Sequence, residues 1–154
     1  YWNKKADTEK VLKNGWLHTG DIGEIDSRDG YLKITDRKKD IIVSAGGDNI
    51  SPAKIENQLS NFSAIDQSIV YGDGKKYLVA IIVPNKEFVN QKEKINEIVS
   101  AINNNLSVVE KIKKFHLIDE NFSIENGLLT PTMKVKRNKV IAKYKNILEN
   151  FYKK

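Results

Sequence analysis

Apolar positions along the chain follow two different periods. Ile95, Ile98, Val99, Ile102 and Leu106 recur at three- and four-residue spacing among polar neighbours, which predicts an amphipathic helix. Val140, Ile141, Tyr144, Ile147, Leu148 and Phe151 repeat the pattern and predict a final helix with lysines on its other face. A third helix has a defined start at "ISPAKIENQL". There Ser51 can cap the first turn, Pro52 suits the first helical position, and Ile50 and Ile55 can form a hydrophobic staple. The run "YLVAIIVP" (77–84) has no helical period and reads as a buried strand ended by Pro84. With "AIDQSIVY" and the intervening "GDGKK" turn it predicts a hairpin, and "KKFHLID" predicts one more short strand.

Turn signals divide the rest. Asn14-Gly15 and Asp29-Gly30 punctuate residues 15–36, where Ile25, Tyr31, Leu32 and Ile34 flank the second turn, so this stretch predicts small antiparallel β structure. "DIIVS" (40–44) is β-branched and strand-like, "AGGDN" is a loop, and "ENGLLTPTMKVKRNKVI" is a Gly-, Thr- and Pro-containing loop leading into the last helix. The expected fold class is α+β. A small domain over 39–154 has a short hairpin and a three-stranded sheet packed by helices. A β-rich piece of a neighbouring domain over 1–38 precedes it, with the boundary in the charged run "DRKKD" (36–40).

Composition narrows the function classes. Hydrophobic residues make up 40% and charged residues 30% of 154, as in a soluble globular protein. The absence of cysteine excludes disulfides and thiolate metal sites and agrees with a cytoplasmic location. No apolar run reaches transmembrane length, and "YWNKKADTEK" does not resemble a signal peptide. The chain also lacks a starting Met and is read as a piece of something longer. Charge is unevenly spread. Residues 133–154 hold eight Lys/Arg against one Glu, net +7, while the whole chain is +6, so the preceding residues carry −1. Such a tail can attract nucleic acid, a membrane surface or a phosphorylated small molecule, or can be a solvated helix face.

Several chemistries have no residues to carry them. Two histidines, His18 and His116, make no spaced metal cluster, and no metal ligand set is expected. There is no G-x-S-x-G elbow, no G-x-x-x-x-G-K-[ST] loop and no G-x-G-x-x-G turn. Four polar segments remain: Asp21 in "TGD", "DRKKD", "SAGGDN" (44–49) and "LTPTMKVKR" (129–137). Singly, each reads as a turn or a solvated loop.

Together and in order, "GWLHTGDIGEID", "GYLKITDRKKDIIVSAGGDNISPAKIE" and "LTPTMKVKR" resemble the acyl-adenylate-forming enzymes. This superfamily includes acyl-CoA synthetases, luciferases and the adenylation domains of peptide synthetases. The resemblance covers nearly the whole chain and is greatest to long-chain fatty-acid–CoA ligases. The stretch from "DRKKD" to "GGDNISP" is one residue longer than in short-chain and aryl relatives. The lysine motif reads "LTPTMKVKR" rather than the Pro-Lys-Thr form with Gly before the lysine.

The resemblance implies activation of a fatty acid by ATP, giving acyl-AMP and pyrophosphate, followed by displacement of AMP by CoA. It implies that residues 1–38 end a large N-terminal AMP-binding domain and that 39–154 form a mobile C-terminal domain. Asp21 matches the acid that binds the ribose hydroxyls of ATP or AMP, and a carboxylate can accept from both. Arg37 matches a basic residue beside the hinge, with reach to ribose or phosphate, and Lys39 matches the hinge itself. Gly46 and Gly47 match a loop whose backbone lines the path of the CoA pantetheine arm. Lys134 matches the catalytic lysine of adenylation, in preference to its rival Lys136, and Met133 departs from the glycine common before that lysine. Arg137 falls on a motif arginine with a structural role. The implied cofactors are ATP, CoA and Mg2+, the last held mainly by the missing N-terminal domain, and the partners are ATP or AMP, CoA, fatty acid and that domain. The basic tail gains a use in attracting CoA phosphates. The fragment alone is expected to be inactive, no nucleic acid is expected, and peripheral membrane association of the parent stays open. Two other readings remain: a basic nucleic-acid-binding module, supported by charge alone, and a non-enzymatic nucleotide or CoA sensor.

Overall fold

The computed structural model describes residues 2–153; Tyr1 and Lys154, the ends of the expected N-terminal segment and basic tail, lie outside the described residues. The chain divides into two compact units between Asp40 and Ile41.

The first unit opens with helix α1 (Lys5–Val11), which buries none of its residues. A two-residue ladder pairs β1 (Leu12–Lys13) with β2 (Trp16–Leu17) across the Asn14-Gly15 turn. A hairpin then pairs β3 (Asp21–Ile25) with β4 (Leu32–Arg37) around Asp29-Gly30, with a bulge between Ile22 and Gly23. Among the described residues of this unit Asp36 is the one that is buried. Its large apolar side chains stand in the open, Trp2 at 90% and Trp16 at 76% exposure, together with Leu17, Ile25, Leu32 and Ile34.

The second unit begins with a short hairpin, β5 (Ile42–Val43) against β6 (Asn49–Ile50). Only two residues of "DIIVS" pair, because the chain turns back at Ser44. Helix α2 (Pro52–Ser60) starts where expected: the Ser51 hydroxyl accepts from the Lys54 N–H at 3.2 Å, and Ile50 and Ile55 are both buried. Strand β7 (Ile65–Tyr71) pairs antiparallel with β8 (Leu78–Pro84). A crossover through α3 (Lys92–Asn104) returns the chain to β9 (Ile112–Leu117), parallel to β8. The sheet order is β7-β8-β9, so β8 is central.

That position explains the apolar run. Every residue of β8 is buried, and its alternate side chains feed two cores. Leu78, Ala80 and Ile82 pack with Ile55, Leu59, Ile95, Val99 and Ile102 from α2 and α3. Val79, Ile81 and Val83 pack with Leu128, Leu129, Val140, Tyr144 and Leu148 on the other face. His116 is exposed on edge strand β9.

The final helix is two helices, not one: α4 (Arg137–Lys143) and α5 (Lys145–Asn150), separated by Tyr144 at φ −101° and ψ 15°. The backbone bonds from Tyr144 N to Val140 O and from Leu148 N to Tyr144 O persist at 3.0 Å. The apolar stripe therefore continues through the interruption, and Val140, Tyr144 and Leu148 share one core. Among the described residues no helix is long and apolar enough to cross a membrane.

Candidate functional site

In the first unit, hairpin register makes the site. Folding at Asp29-Gly30 sets Asp21 directly opposite Arg37. The Arg37 Nε lies 3.0 Å from the Asp21 Oδ1, and the Asp21 N–H donates to the Thr19 hydroxyl at 3.1 Å. The Lys38 N–H closes the end of the ladder on the Gly20 carbonyl at 2.8 Å. A concavity of about 320 Å³ beside this pair is lined by Thr19, Gly20, Arg37, Lys38 and Lys39. Sequence matching treated Asp21 and Arg37 as separate ligands; the ladder makes them one acid–base pair. The Asp29-Gly30 signal could have located that pairing. Lys39 is exposed in a turn closed by the Asp40 N–H on the Arg37 carbonyl at 2.9 Å, one residue before the division between the units.

In the second unit, Gly46 and Gly47 lie in a loop organised by Ser44. The Ser44 hydroxyl donates to Asp48 Oδ2 at 2.7 Å and accepts from the N–H groups of Gly46 and Asp48, each at 3.1 Å. Gly47 has φ +88°, a left-handed conformation that side chains disfavour, which accounts for glycine there. The loop is fastened from outside by residues 73–75. Gly74 N–H donates to Val43 O at 2.8 Å, Ala45 N–H donates to Lys75 O at 2.9 Å, and Val43 N–H donates to Asp73 Oδ1 at 3.0 Å.

Lys134 sits on a tight turn with its side chain exposed. Thr130 clamps its backbone: the Thr130 N–H donates to the Lys134 carbonyl at 2.8 Å, and the Lys134 N–H donates to the Thr130 hydroxyl at 3.0 Å. Leu129 and Val135 bridge the turn as antiparallel partners, and Leu128 and Leu129 at its start are buried. Met133 adopts φ +61°, the conformation a glycine would take without strain. Lys136 is half-buried, precedes α4, and donates its N–H to Leu128 O at 2.8 Å.

Arg137 anchors this turn. Its Nη2 meets both carboxylate oxygens of Glu56 at 2.5 and 2.6 Å, and its Nη1 donates to Val70 O at 2.9 Å. Glu56 Oε1 also accepts from Val70 N–H at 2.6 Å. The turn bearing Lys134 and the loop bearing Gly46 and Gly47 are thus held by different anchors. Glu56, Lys75 and Glu149 do this holding. Sequence reading passed over all three, since each looks like an ordinary surface charge and its countercharge lies 74 or more residues away. Among the described residues no group of three or more His, Asp or Glu gathers to hold a metal ion.

The chain is similar to known proteins along its length. Along its full length the chain is 39% identical to the long-chain-fatty-acid–CoA ligase FadD15 of Mycobacterium tuberculosis and spans 29% of that protein. It is 36% identical over its full length to long chain acyl-CoA synthetase 1 of Arabidopsis thaliana, spanning 27% of it. The structure matches the A domain of carboxylic acid reductase from Segniliparus rugosus, solved with AMP and a co-purified carboxylic acid. The TM-score is 0.89 at 25% identity, covering 99% of this chain and 26% of that one. O-succinylbenzoate coenzyme A synthetase from Bacillus subtilis, solved with AMP, matches at TM-score 0.71 and 30% identity over 91% of this chain and 27% of its own. Residues 39–154, which hold the Ser44 loop, the two-faced sheet and the Lys134 turn, match the sequence profile described as AMP-binding enzyme C-terminal domain, and the chain belongs to that family.

Proposed function

We propose that this chain is the C-terminal portion of an ATP-dependent long-chain fatty-acid–CoA ligase, a cytoplasmic enzyme whose first step forms acyl-AMP and whose second forms the CoA thioester. The observation that carries the reading is the likeness of the chain to long-chain ligases along its full length. On this reading residues 1–38 end the large AMP-binding domain and 39–154 are the mobile domain. The exposed apolar surface of the first unit supports that division, since such a surface calls for covering by further protein.

Each residue then has a task its surroundings suit. Asp21, oriented by Arg37, is an acceptor-only group that can take two ribose hydroxyl donors, and Arg37 keeps N–H groups for phosphate. Lys39 is the hinge. Gly46 and Gly47 offer backbone along the pantetheine path. In the first step a fatty-acid carboxylate oxygen bonds to the α-phosphorus of ATP as the bond to pyrophosphate breaks. The Lys134 ammonium neutralises charge accumulating on the phosphate oxygens. Its exposure on a clamped turn favours it over half-buried Lys136. In the second step the CoA thiol gives its proton to solvent, its sulfur bonds to the acyl carbon, and the bond from that carbon to the AMP phosphate oxygen breaks as AMP leaves. ATP and CoA are substrates here, and Mg2+ would be held by acids outside this chain.

The test uses the full-length protein. Lys134→Ala is expected to slow pyrophosphate release from fatty acid and ATP by about 10²- to 10³-fold, as loss of a charge-stabilising donor does. Thioester formation from supplied acyl-AMP and CoA should be largely spared. Equal loss of both steps, or turnover by the 154 residues alone, refutes the assignment.

A further inference from the structure

The turn over residues 73–75 has two faces. One grips residues 43–45 through the three hydrogen bonds described above, two between backbone groups and one to the Asp73 carboxylate. The other is held by the C-terminal segment. Lys75 Nζ pairs with Glu149 Oε2 at 2.7 Å and lies 5.0 Å from the centre of the Tyr152 ring. Tyr71 donates its hydroxyl to the other Glu149 oxygen at 2.8 Å. Tyr152 donates to the Tyr77 carbonyl at 3.0 Å, and Tyr77 and Lys114 both donate to the Phe151 carbonyl, at 2.7 and 2.9 Å. Lys75 is the joint: its carbonyl holds Ala45, and its ammonium is held by Glu149 and Tyr152.

Burial accounts for the rings of this cluster but not for its Lys75–Glu149 ion pair. Leu148, Tyr144 and Val140 already seat α4 and α5 on the sheet. The cluster's rings pack at the margin of that core, and through Lys75 the cluster also reaches the loop carrying Gly46 and Gly47. A loop that lines a reaction path must hold its backbone to within about an ångström, and a misplacement of that size can cost about 10²-fold in rate.

We propose that Lys75, Glu149 and Tyr152 are positioning residues for the 44–48 loop and, through it, for the thioester-forming step. This rests on the ligase reading above. It separates the two half-reactions by anchor: the Lys134 turn hangs on Arg137 and Glu56, whereas the 44–48 loop hangs on the end of the chain.

Two measurements on the full-length protein decide it. In Lys75→Met and Glu149→Gln, thioester formation from supplied acyl-AMP should slow by about tenfold or more, with a raised KM for CoA. Pyrophosphate release from fatty acid and ATP should stay within about twofold of wild type, inside the factor that a fraction of RT represents. Lys75→Arg, which can renew the pair with Glu149, should restore the second step. Hydrogen exchange over residues 43–48 should quicken in Lys75→Met and Glu149→Gln and return in Lys75→Arg. Equal loss of both half-reactions, or unchanged exchange over 43–48, overturns the proposal. Faster exchange in a protein whose wild type makes neither acyl-AMP nor thioester would uphold the mechanical coupling and sink the ligase reading instead.

Discussion

Replacing Arg137 with alanine removes a planar fork that joins three groups: both oxygens of Glu56 and the carbonyl of Val70. The side chains of Arg137 and Glu56 are only 16% and 18% exposed, so water replaces little of what is lost. Glu56 would keep its bond from Val70 N–H but lose its countercharge. Breaking a buried pair costs roughly 3–5 kcal/mol and a single hydrogen bond to a charged group about 1.5–3 kcal/mol, so about 2–4 kcal/mol is expected for this partly covered site. Arg137→Lys should recover little, because an ammonium cannot span the carboxylate and the carbonyl together. Urea unfolding followed by far-ultraviolet circular dichroism reads mainly the second unit, which holds α2 to α5. Both tryptophans, Trp2 and Trp16, lie in the first unit, so their emission is an internal control that should not move. A loss below about 0.5 kcal/mol, the scale of an exposed pair such as Lys94–Glu97, would refute the view that Arg137 anchors the Lys134 turn.

Gly72→Ala should destabilise by about 1–3 kcal/mol in the same unfolding assay, because the new Cβ would stand 2.5 Å from Cδ2 of buried Leu78 and 3.2 Å from the Tyr77 carbonyl oxygen. Met133→Gly should leave stability unchanged or raise it by up to about 1 kcal/mol, and Met133→Val should lower it by about 1–2 kcal/mol, since a β-branched residue fits poorly at φ +61°; the reverse order would mean that the turn relaxes. The Lys75 ammonium, with the Tyr71 hydroxyl, holds the Glu149 carboxyl below its ordinary value of 4.5. A depressed folded-state value makes the contribution complete above that ordinary value and lost as pH falls through the folded one. The stability gap between wild type and Glu149→Gln should thus be flat from about pH 6 to pH 8 and close below about pH 4; a gap that widens in acid would contradict the pairing. Burial, and after it the Glu149 contact, pushes the Tyr71 phenol up to about 12 from its ordinary value of 10.0, so its alkaline titration should be delayed in wild type and less so in Glu149→Gln.

The elements that were legible in the sequence depend on neighbours within about four positions. The Ser51-Pro52 start of α2, the stripe of α3, the buried run of β8 and the Asp29-Gly30 hairpin are each set by capping chemistry, helical period or turn geometry in a few adjacent residues. The order of "TGD", "DRKKD", "SAGGDN" and "LTPTMKVKR" likewise pointed to a family without any coordinates. The joint at Tyr144 was not legible, because the stripe of apolar residues runs through it unchanged and only the dihedrals at one residue depart from the helix. Nor was the left-handed Met133, which the Thr130 clamp imposes on a residue with no preference for that conformation. The anchors required the fold outright. Arg137 and Glu56 lie 81 residues apart and Lys75 and Glu149 lie 74 apart. No local pattern marks a charged side chain whose partner is brought to it only when a sheet has been covered on both faces. Short-range chemistry settled which segments are helix, strand and turn and which residues are presented. Long-range packing decided which of them are held still, because the register of β7 against β8 and the seating of the last two helices place the countercharges.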